Sequence, residues 1–257
     1  MPIELGTVEQ FRWDDLPKEA VTDQLGRKVI TGSEVMASHI WLTKGCVVPH
    51  HSHAAEQLSW MFTGALKFII AGETLVVNAG DLLVIPPWVE HEALALEDTY
   101  EMDVFSPIRH DWLEKTDSYF HQPATQASGF LNPASATNPA RLIPWKDVAV
   151  DAVTPFLDRA FVSGVNTTIA DMKLKKGCVV PTHHHVSEQL SWVRRGWLRL
   201  EVDGKAYDLK AGSVLRIPSE LPHRADAIQD TDVVDLFAPR RDDWINRTDA
   251  YLREGNR

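Results

Sequence analysis

The sequence is poor in cysteine and in basic residues. Cys46 and Cys178 are its only two cysteines, too few for the disulfide framework of a small secreted domain, so we expect two free thiols. Lys and Arg number 26 against 36 Asp and Glu, which gives a formal net charge of −10. Because nucleic acids and anionic membrane surfaces are bound through basic patches, this acidic balance argues against both kinds of partner.

Long apolar runs are also missing. No stretch approaches the roughly 20 apolar residues that a membrane span requires, and the N-terminal residues lack the basic region and apolar run of a secretory signal. We therefore expect a cytoplasmic protein. The remaining composition, 44% hydrophobic and 24% charged, is typical of a folded globular chain, and 257 residues suit one large or two ordinary domains.

The chain contains two copies of one domain-sized unit. Residues 45–64 recur as residues 177–196, with 13 of 20 positions identical, and the same offset relates Trp13 to Trp145 and His91 to His223. A stretch rich in Pro, Ala, Ser, Thr and Asn separates the copies. These features predict an N-terminal domain at 1–121, a linker at 122–141 and a C-terminal domain at 142–257.

Short runs with period-two alternation predict an all-β fold. In the first copy, Leu66, Phe68 and Ile70 occupy alternate positions before an Ala-Gly-Glu turn, and the second copy shows the same spacing before Asp203-Gly204. Alternation between Gly and Pro punctuation is typical of antiparallel strands in a sandwich or small barrel. Helix is expected only in a short piece ending each copy, near 111–119 and 243–252.

Histidines form two matching sets. Residues two apart on a strand point to the same face, so the side chains of a His-x-His pair project into one space, and the same parity selects Gln57 rather than Glu56 as the next inward oxygen. Such a pair is often only structural, but here it recurs in both copies, each with a third His at the same distance along the chain. The predicted metal ligands are His51, His53, Gln57 and His91, and His183, His185, Gln189 and His223. Three imidazoles and one oxygen suit a divalent ion such as Zn, Ni, Mn, Fe or Co, with up to two ions per chain.

A second set of polar and aromatic residues follows the third His of each copy. Asp103, Phe105 and Arg109 recur as Asp235, Phe237 and Arg241. If this strand lines the barrel, the Asp can move protons, the Phe forms an apolar wall, and the Arg can hold a substrate carboxylate through two hydrogen bonds. The alternative is that Asp and Arg form a structural pair that closes the end of the barrel.

These motifs resemble the cupin pattern, in which a Gly, the His-x-His pair and a carboxylate ligand are followed by Gly, Pro and the third His. The first copy matches it at Gly45, His51, His53, Gln57, Gly64, Gly80, Pro86 and His91, and the second at the equivalent positions. The resemblance implies two double-stranded β-helix (jelly-roll) barrels in tandem, a bicupin. Gln takes the place of the usual Glu ligand, and Trp88 and Glu220 stand where the pattern has Gly.

The run Asp-x-Phe-x-Pro-x-Arg, together with His-x-His and Glu-Gln, is similar to the pectin-degradation cupins of the KdgF type. That resemblance implies catalytic roles for Asp103, Arg109, Asp235 and Arg241, and substrate binding by Phe105 and Phe237. It also implies the conversion of 4,5-unsaturated uronates to linear keto sugars, although members of that family are generally single cupins. The two-cupin isomerases of bacilysin biosynthesis, which also carry Gln at this ligand position, are the nearest rival.

A neutral amide leaves more positive charge on a metal ion than a carboxylate does, which favours Lewis-acid chemistry over oxygen-dependent redox chemistry. We therefore expect a metal-dependent isomerase or ring-opening enzyme that acts on a small anionic molecule, a carboxylated sugar, and that is a monomer or homodimer. The alternatives are a metal-dependent dioxygenase and a non-enzymatic cupin that binds metal or sugar, for example a sensor.

Overall fold

The computed structural model describes residues 6–121 and 140–253, and strands dominate both stretches. The first stretch has 3-10 turns at Trp13–Asp15 and Ser118–His121. Its strands and its one α-helix are β1 (Glu9–Arg12), β2 (Glu19–Ala20), β3 (Leu25–Thr31), β4 (Met36–Leu42), β5 (Val47–His51), β6 (Glu56–Thr63), β7 (Ala65–Ile70), β8 (Glu73–Asn78), β9 (Asp81–Ile85), β10 (His91–Ala95), β11 (Thr99–Ser106) and α1 (His110–Leu113).

The second stretch repeats this order, and its 3-10 turn lies at Trp145–Asp147. Its strands and helices are β12 (Arg141–Pro144), β13 (Val150–Thr154), β14 (Leu157–Ser163), β15 (Thr168–Leu174), β16 (Val179–His183), β17 (Glu188–Arg195), β18 (Trp197–Val202), β19 (Lys205–Lys210), β20 (Ser213–Ile217), β21 (His223–Ala227), β22 (Thr231–Ala238), α2 (Asp242–Ile245) and α3 (Ala250–Arg253). No helix within the described residues is long and apolar enough to cross a membrane.

Four antiparallel sheets make up two sandwiches. One sandwich pairs the sheet β12-β9-β6-β11-β4-β3-β2 with the sheet β5-β10-β7-β8, and the other pairs β1-β20-β17-β22-β15-β14-β13 with β16-β21-β18-β19. In β7, Leu66, Phe68 and Ile70 are buried in the core that the two sheets enclose, as their alternation predicts. The predicted all-β fold with two jelly-roll barrels is therefore confirmed.

The chain divides into two compact units, one around each repeat. The first-repeat unit comprises residues 17–31 and 36–147, and the second-repeat unit comprises residues 148–253 together with 6–16 and 32–35, within the described parts of the chain. β12 is the edge strand of the first-repeat unit because it pairs with β9, and β1 is the edge strand of the second-repeat unit because it pairs with β20. The domain bounds expected from the repeat stay a prediction; residues 122–139 of the expected linker lie outside the described residues.

Residues 32–35, between β3 and β4, are held by a buried ion pair of the second-repeat unit. The Glu188 carboxylate accepts hydrogen bonds from the backbone N–H groups of Ser33 (2.9 Å), Glu34 (2.7 Å) and Val35 (3.1 Å). It also accepts one from Nε of Arg216 at 2.7 Å, and neither charged side chain is more than 2% exposed. This carboxylate therefore satisfies three backbone donors and one buried cation at once.

The turn between β6 and β7 requires glycine. Gly64 has a φ of +80°, in the left-handed region, and a Cβ there would collide with the backbone of Asp98 and Thr99. The turn follows β6, which carries Gln57 and pairs with β11, the strand that carries Asp103.

Cys46 and Cys178 are both buried free thiols, as expected.

Candidate metal centre

Three histidines converge in the barrel of the first-repeat unit. His51 ends β5, His53 follows it, and His91 begins β10, directly opposite His51 in the strand pairing. The ring centroids of His51 and His91 are 4.3 Å apart, and one ring nitrogen of each histidine lies within 4.8 Å of the others. The sheet therefore places three imidazoles around one point.

Hydrogen bonds on the far side of each ring fix its tautomer. Nδ1 of His51, His53 and His91 each donates to a backbone carbonyl oxygen, of Pro49, Ala55 and Val89 respectively, at 2.8 Å. Because a carbonyl only accepts, Nδ1 carries the proton and Nε2 presents a lone pair. Nε2 of His91 is buried and has no hydrogen-bond partner among the described residues. This arrangement is typical of imidazoles that hold a metal ion.

Burial keeps these imidazoles neutral. It lowers the pKa of His53 to about 3 and that of His91 to about 4, since a charged ring loses its hydration inside the barrel. Burial, followed by the neighbouring His91, lowers the pKa of His51 to about 2. All three lone pairs are therefore available at neutral pH.

Gln57 supplies an oxygen to the same point. Its Oε1 lies 3.1 Å from Nε2 of His53, while its Nε2 donates to Oγ of Ser59 (2.9 Å) and to Oδ2 of Asp103 (3.2 Å). Since Nε2 of His53 carries no proton, two lone pairs face each other across 3.1 Å, which is unfavourable unless a cation lies between them. The three imidazoles and this amide oxygen fit a divalent metal ion.

The second-repeat unit contains the same arrangement. Nδ1 of His183, His185 and His223 each donates to a backbone carbonyl oxygen at 2.8 Å, and Oε1 of Gln189 lies 3.1 Å from Nε2 of His185. Nε2 of His223 is buried without a hydrogen-bond partner among the described residues. Both copies therefore bring together the three His and one Gln that the sequence singles out, and their role as ligands stays a prediction.

The Glu that precedes the predicted ligand Gln189 faces away from the centre. Glu188 precedes Gln189 on β17, and its carboxylate binds Arg216 and the backbone of residues 33–35 instead. This outcome agrees with the parity argument, because adjacent strand residues point to opposite faces.

A buried carboxyl group lies behind each Gln. In the first-repeat unit, Asp103 on β11 lies opposite Ser59 on β6 in the strand register. In the second-repeat unit, Oγ of Ser191 donates a hydrogen bond to Oδ1 of Asp235 at 2.6 Å. Burial raises the pKa of Asp103 to about 7 and that of Asp235 to about 6, although the nearby hydroxyl and amide donors partly offset the effect. These carboxyl groups can therefore exist in both protonation states near neutral pH.

Arg109 is engaged by its own loop. Its Nε and Nη2 donate to the two carboxylate oxygens of Asp111 at 2.9 and 2.6 Å, and Nη2 also donates to the Tyr119 hydroxyl at 2.9 Å. Nη1 makes no hydrogen bond to any described residue. The structural partner of Arg109 is thus Asp111 rather than Asp103, and one edge of the guanidinium is left for a ligand; Arg241 pairs with Asp243 in the same way.

Tyr119 is a site residue that the sequence analysis did not assign. Its ring stacks on His51, with centroids 4.2 Å apart and planes 8° from parallel, and Tyr251 stacks on His183 at 4.6 Å. The available signal was that these two tyrosines occupy equivalent positions of the repeat. The Tyr119 ring covers the His51 imidazole, and the Tyr119 hydroxyl accepts a hydrogen bond from Arg109. Tyr119 therefore connects the histidine cluster to the arginine.

Phe105 packs against a histidine of the site, whereas Arg27 binds carboxylates of the surrounding barrel. The Phe105 ring meets His53 edge-on at 5.7 Å, and Phe237 meets His185 at 5.5 Å. Arg27 is buried and forms ion pairs with Glu19 (2.9 Å) and Asp117 (2.8 Å). A cavity lies in the first-repeat unit beside these groups. Its lining residues are Leu25, Arg27, Ile40, Leu42, Val48, His51, Gln57, Leu66, Phe68, His91, Ala93, Glu101, Asp103, Phe105, Arg109, Trp112, Tyr119 and Phe120.

Comparison with known families identifies this architecture. The Cupin_2 model, which describes a cupin domain, matches residues 39–106 and 170–238, together more than half of the chain. The chain belongs to the cupin family. Each match contains the His-x-His pair, the Gln, the third His and the Asp of one barrel, so this cupin is a bicupin.

A curated relative of this cupin is the pectin degradation protein KdgF of Dickeya dadantii (strain 3937). It is 30% identical over 103 residues, which cover 39% of this chain and 94% of the relative. Only part of this bicupin therefore aligns with the smaller protein.

Solved structures with the same fold include two-barrel proteins. AerE from Microcystis aeruginosa superposes with a TM-score of 0.62 at 14% identity, covering 87% of this chain and 96% of AerE. Oxalate decarboxylase OxdC of Bacillus subtilis superposes with a TM-score of 0.66 at 17% identity, covering 93% of this chain and 78% of OxdC. Mn(II) centres are described in the Bacillus subtilis oxalate decarboxylase. At these identities the likeness shows the fold alone.

Proposed function

We propose that this bicupin is a metal-dependent isomerase that opens the ring of a small carboxylated sugar resembling an unsaturated uronate. The observation that carries the proposal is the contact between Gln57 and Asp103. It places a buried carboxyl group next to three imidazoles whose Nε2 atoms face one point, and the second repeat reproduces the arrangement. The relative named for pectin degradation supports the choice of substrate class.

The chain's own residues divide the work of such a reaction. The unbonded Nη1 edge of Arg109 is available to a substrate carboxylate, with Asp111 and Tyr119 holding the guanidinium in place. Phe105 provides an apolar wall against His53, and Tyr119 covers the face of His51 and excludes water there. Asp103 lies where it can accept and return a proton.

A divalent ion held by His51, His53, Gln57 and His91 would act as a Lewis acid toward a substrate oxygen. Zn, Ni, Mn, Fe and Co are all compatible with three imidazoles and one amide oxygen, and the second set would hold a second ion. The neutral amide keeps more of the ion's charge available than a carboxylate ligand would.

The proposed reaction balances without a co-reactant. The proton of the anomeric hydroxyl passes to the Asp carboxylate, the bond between the ring oxygen and C1 breaks, and C1 becomes an aldehyde. Cleavage leaves an enolate at C5, and it becomes a ketone when the Asp carboxyl group gives its proton to C4. One residue that exchanges a proton in both directions is sufficient, and Asp103 or Asp235 can be that residue.

Loss of the ultraviolet absorbance of a 4,5-unsaturated galacturonate tests the proposal. Asp103→Asn and Asp235→Asn are made separately and together, and metal content is measured for each protein. We expect the double variant to lose about 100- to 10,000-fold in rate with metal still bound, as for the removal of a general acid–base group. Full activity in the double variant contradicts the role of Asp. A wild-type protein that binds metal but leaves this sugar unchanged contradicts the enzyme proposal and favours a binding or sensor cupin.

A further inference from the structure

The two barrels differ by one buried carboxyl group. Glu101 lies two residues before Asp103 on β11, and the equivalent residue of the second repeat is Val233. Glu101 is only 4% exposed, and its Oε2 atom has no hydrogen-bond partner within the described residues. It therefore lies on the same strand face as Asp103 with an oxygen that no described residue satisfies.

This glutamate lines the cavity of the first-repeat unit, and the second repeat has no carboxyl group at the equivalent position. Of the eighteen residues around that cavity, fourteen are identical in the second repeat, and three differ by an exchange of apolar residues. These three are Ile40, Phe68 and Phe120, which become Met172, Leu200 and Leu252. Glu101 against Val233 is the only difference in polarity among these positions.

A buried carboxyl oxygen without a hydrogen-bond partner destabilises the fold unless a ligand supplies that partner, because the oxygen has lost its hydration and gained nothing in return. Burial, and then the nearby Asp103, raise the pKa of Glu101 well above its ordinary range. A neutral carboxyl both donates and accepts, so its natural partner is a hydroxyl or carbonyl oxygen. Arg109, on the same cavity, is the complementary group for an anion.

We propose that Glu101 is a binding residue for a hydroxyl group of the substrate, and that it makes the first barrel selective for hydroxylated sugar acids. The second barrel, with Val233 at this position, accepts the carboxylate through Arg241 but lacks this partner for a hydroxyl. The inference rests on the proposed function for the class of ligand, an anionic sugar, and adds which barrel recognises it and through which group.

Two probes of similar size separate recognition of hydroxyls from recognition of charge. D-galacturonate carries a carboxylate and several hydroxyls, and cyclohexanecarboxylate carries a carboxylate on a ring without any. Calorimetric titration of the zinc-loaded protein with both repeats present gives the affinity for each. Glu101→Val reproduces the residue of the second barrel, Glu101→Gln keeps hydrogen bonding without the acid, and Val233→Glu is the reciprocal change.

We expect Glu101→Val to weaken galacturonate binding about 10- to 100-fold and to leave cyclohexanecarboxylate binding unchanged. A site built for a hydroxyl discriminates in this way against its absence. Glu101→Gln should retain most of the affinity, and Val233→Glu should add a second galacturonate site. Metal content and the thermal midpoint show whether each variant is folded.

Equal weakening of both probes by Glu101→Val, or no effect on either, overturns the proposal. So does a wild-type protein that does not bind galacturonate. If galacturonate binding depends on Glu101 but unsaturated galacturonate is not converted, the proposed isomerase is wrong and this recognition site stands. If conversion occurs and Glu101→Val changes neither binding nor rate, only the present inference fails.

Discussion

Acid should remove metal from this protein far less readily than from an ordinary histidine site. Metal binding requires a neutral imidazole, so a proton competes with the metal at each ligand. At pH 5 an imidazole with the ordinary pKa of 6.5 is about 97% protonated, which weakens metal binding about 30-fold for one ligand and about 30,000-fold for three. Burial reverses this expectation here, because it lowers the pKa of every imidazole in the first site.

The magnitude follows from the shifted values. His91 is the most basic of the three, with its pKa lowered by burial to about 4, so it is only about 10% protonated at pH 5. His51 and His53, with lower pKa values still, contribute less. The imidazoles should therefore weaken metal binding less than about twofold between pH 7 and pH 5, and the loss should become steep only below pH 4.

Asp103 adds a separate dependence with a smaller slope. Its pKa, raised by burial to about 7, means that it gains a proton as the pH falls below 7 and then attracts the metal less. One proton changes the affinity by at most about tenfold per pH unit. Asp103→Asn should therefore make metal affinity almost independent of pH between 7 and 5.

Equilibrium dialysis with Co²⁺ measures this in a protein that carries His183→Ala and His185→Ala, so that only the first site is intact. The same measurement on that protein with Asp103→Asn isolates the imidazoles. A thousandfold or greater loss of affinity between pH 7 and pH 5 in the Asn variant would refute the reasoning, because it would require ordinary, solvated imidazoles.

Three further predictions concern single positions. Gln57→Glu should bind divalent metal at least about tenfold more tightly, because the new ligand is charged; equilibrium dialysis that shows no change would point to a site without Gln57. Trp88→Gly should raise the free energy of unfolding by about 1 kcal/mol, since Trp88 holds a φ of +63° while 68% exposed; a lower denaturant midpoint would contradict this. Glu188→Ala should lower the free energy of unfolding by about 3 to 5 kcal/mol, because it removes the buried partner of Arg216 and leaves this buried charge only the partly exposed Glu9 at 3.8 Å. The matched surface change Glu73→Ala should alter the free energy of unfolding by less than about 0.5 kcal/mol. If Glu188→Ala and Glu73→Ala had equal effects, the ion pair would contribute nothing to stability.

Local periodicity was enough to predict the barrels and the convergence of the histidines. Adjacent residues of a strand point to opposite faces, which turns Glu188 away from the site that Gln189 faces. The three histidines converge as expected, but His53 lies beyond the end of β5, so its direction is set by the segment after the strand. The repeat strengthened each inference, because a pattern that recurs in register in both copies is unlike a chance arrangement.

Features that depend on loop conformation or on tertiary packing could not be predicted in this way. The pairing of Arg109 with Asp111 depends on the conformation of the loop after β11, which alternation does not describe. The unpaired state of the Glu101 oxygen becomes visible only once the cavity exists. The short strands β1 and β12 carry too few residues for their patterns to indicate which sheet they join.

The edge strands also determine where the two repeats of this protein can be separated. One cut in the chain between the repeats would deprive the piece from 148 onward of β1 and of residues 32–35, whose three N–H groups bind Glu188. That piece would expose the bare edge of β20, and exposed sheet edges promote aggregation. Modular engineering of this bicupin, such as swapping a barrel or permuting the chain, would have to carry β1 and the 32–35 segment along with the barrel they complete.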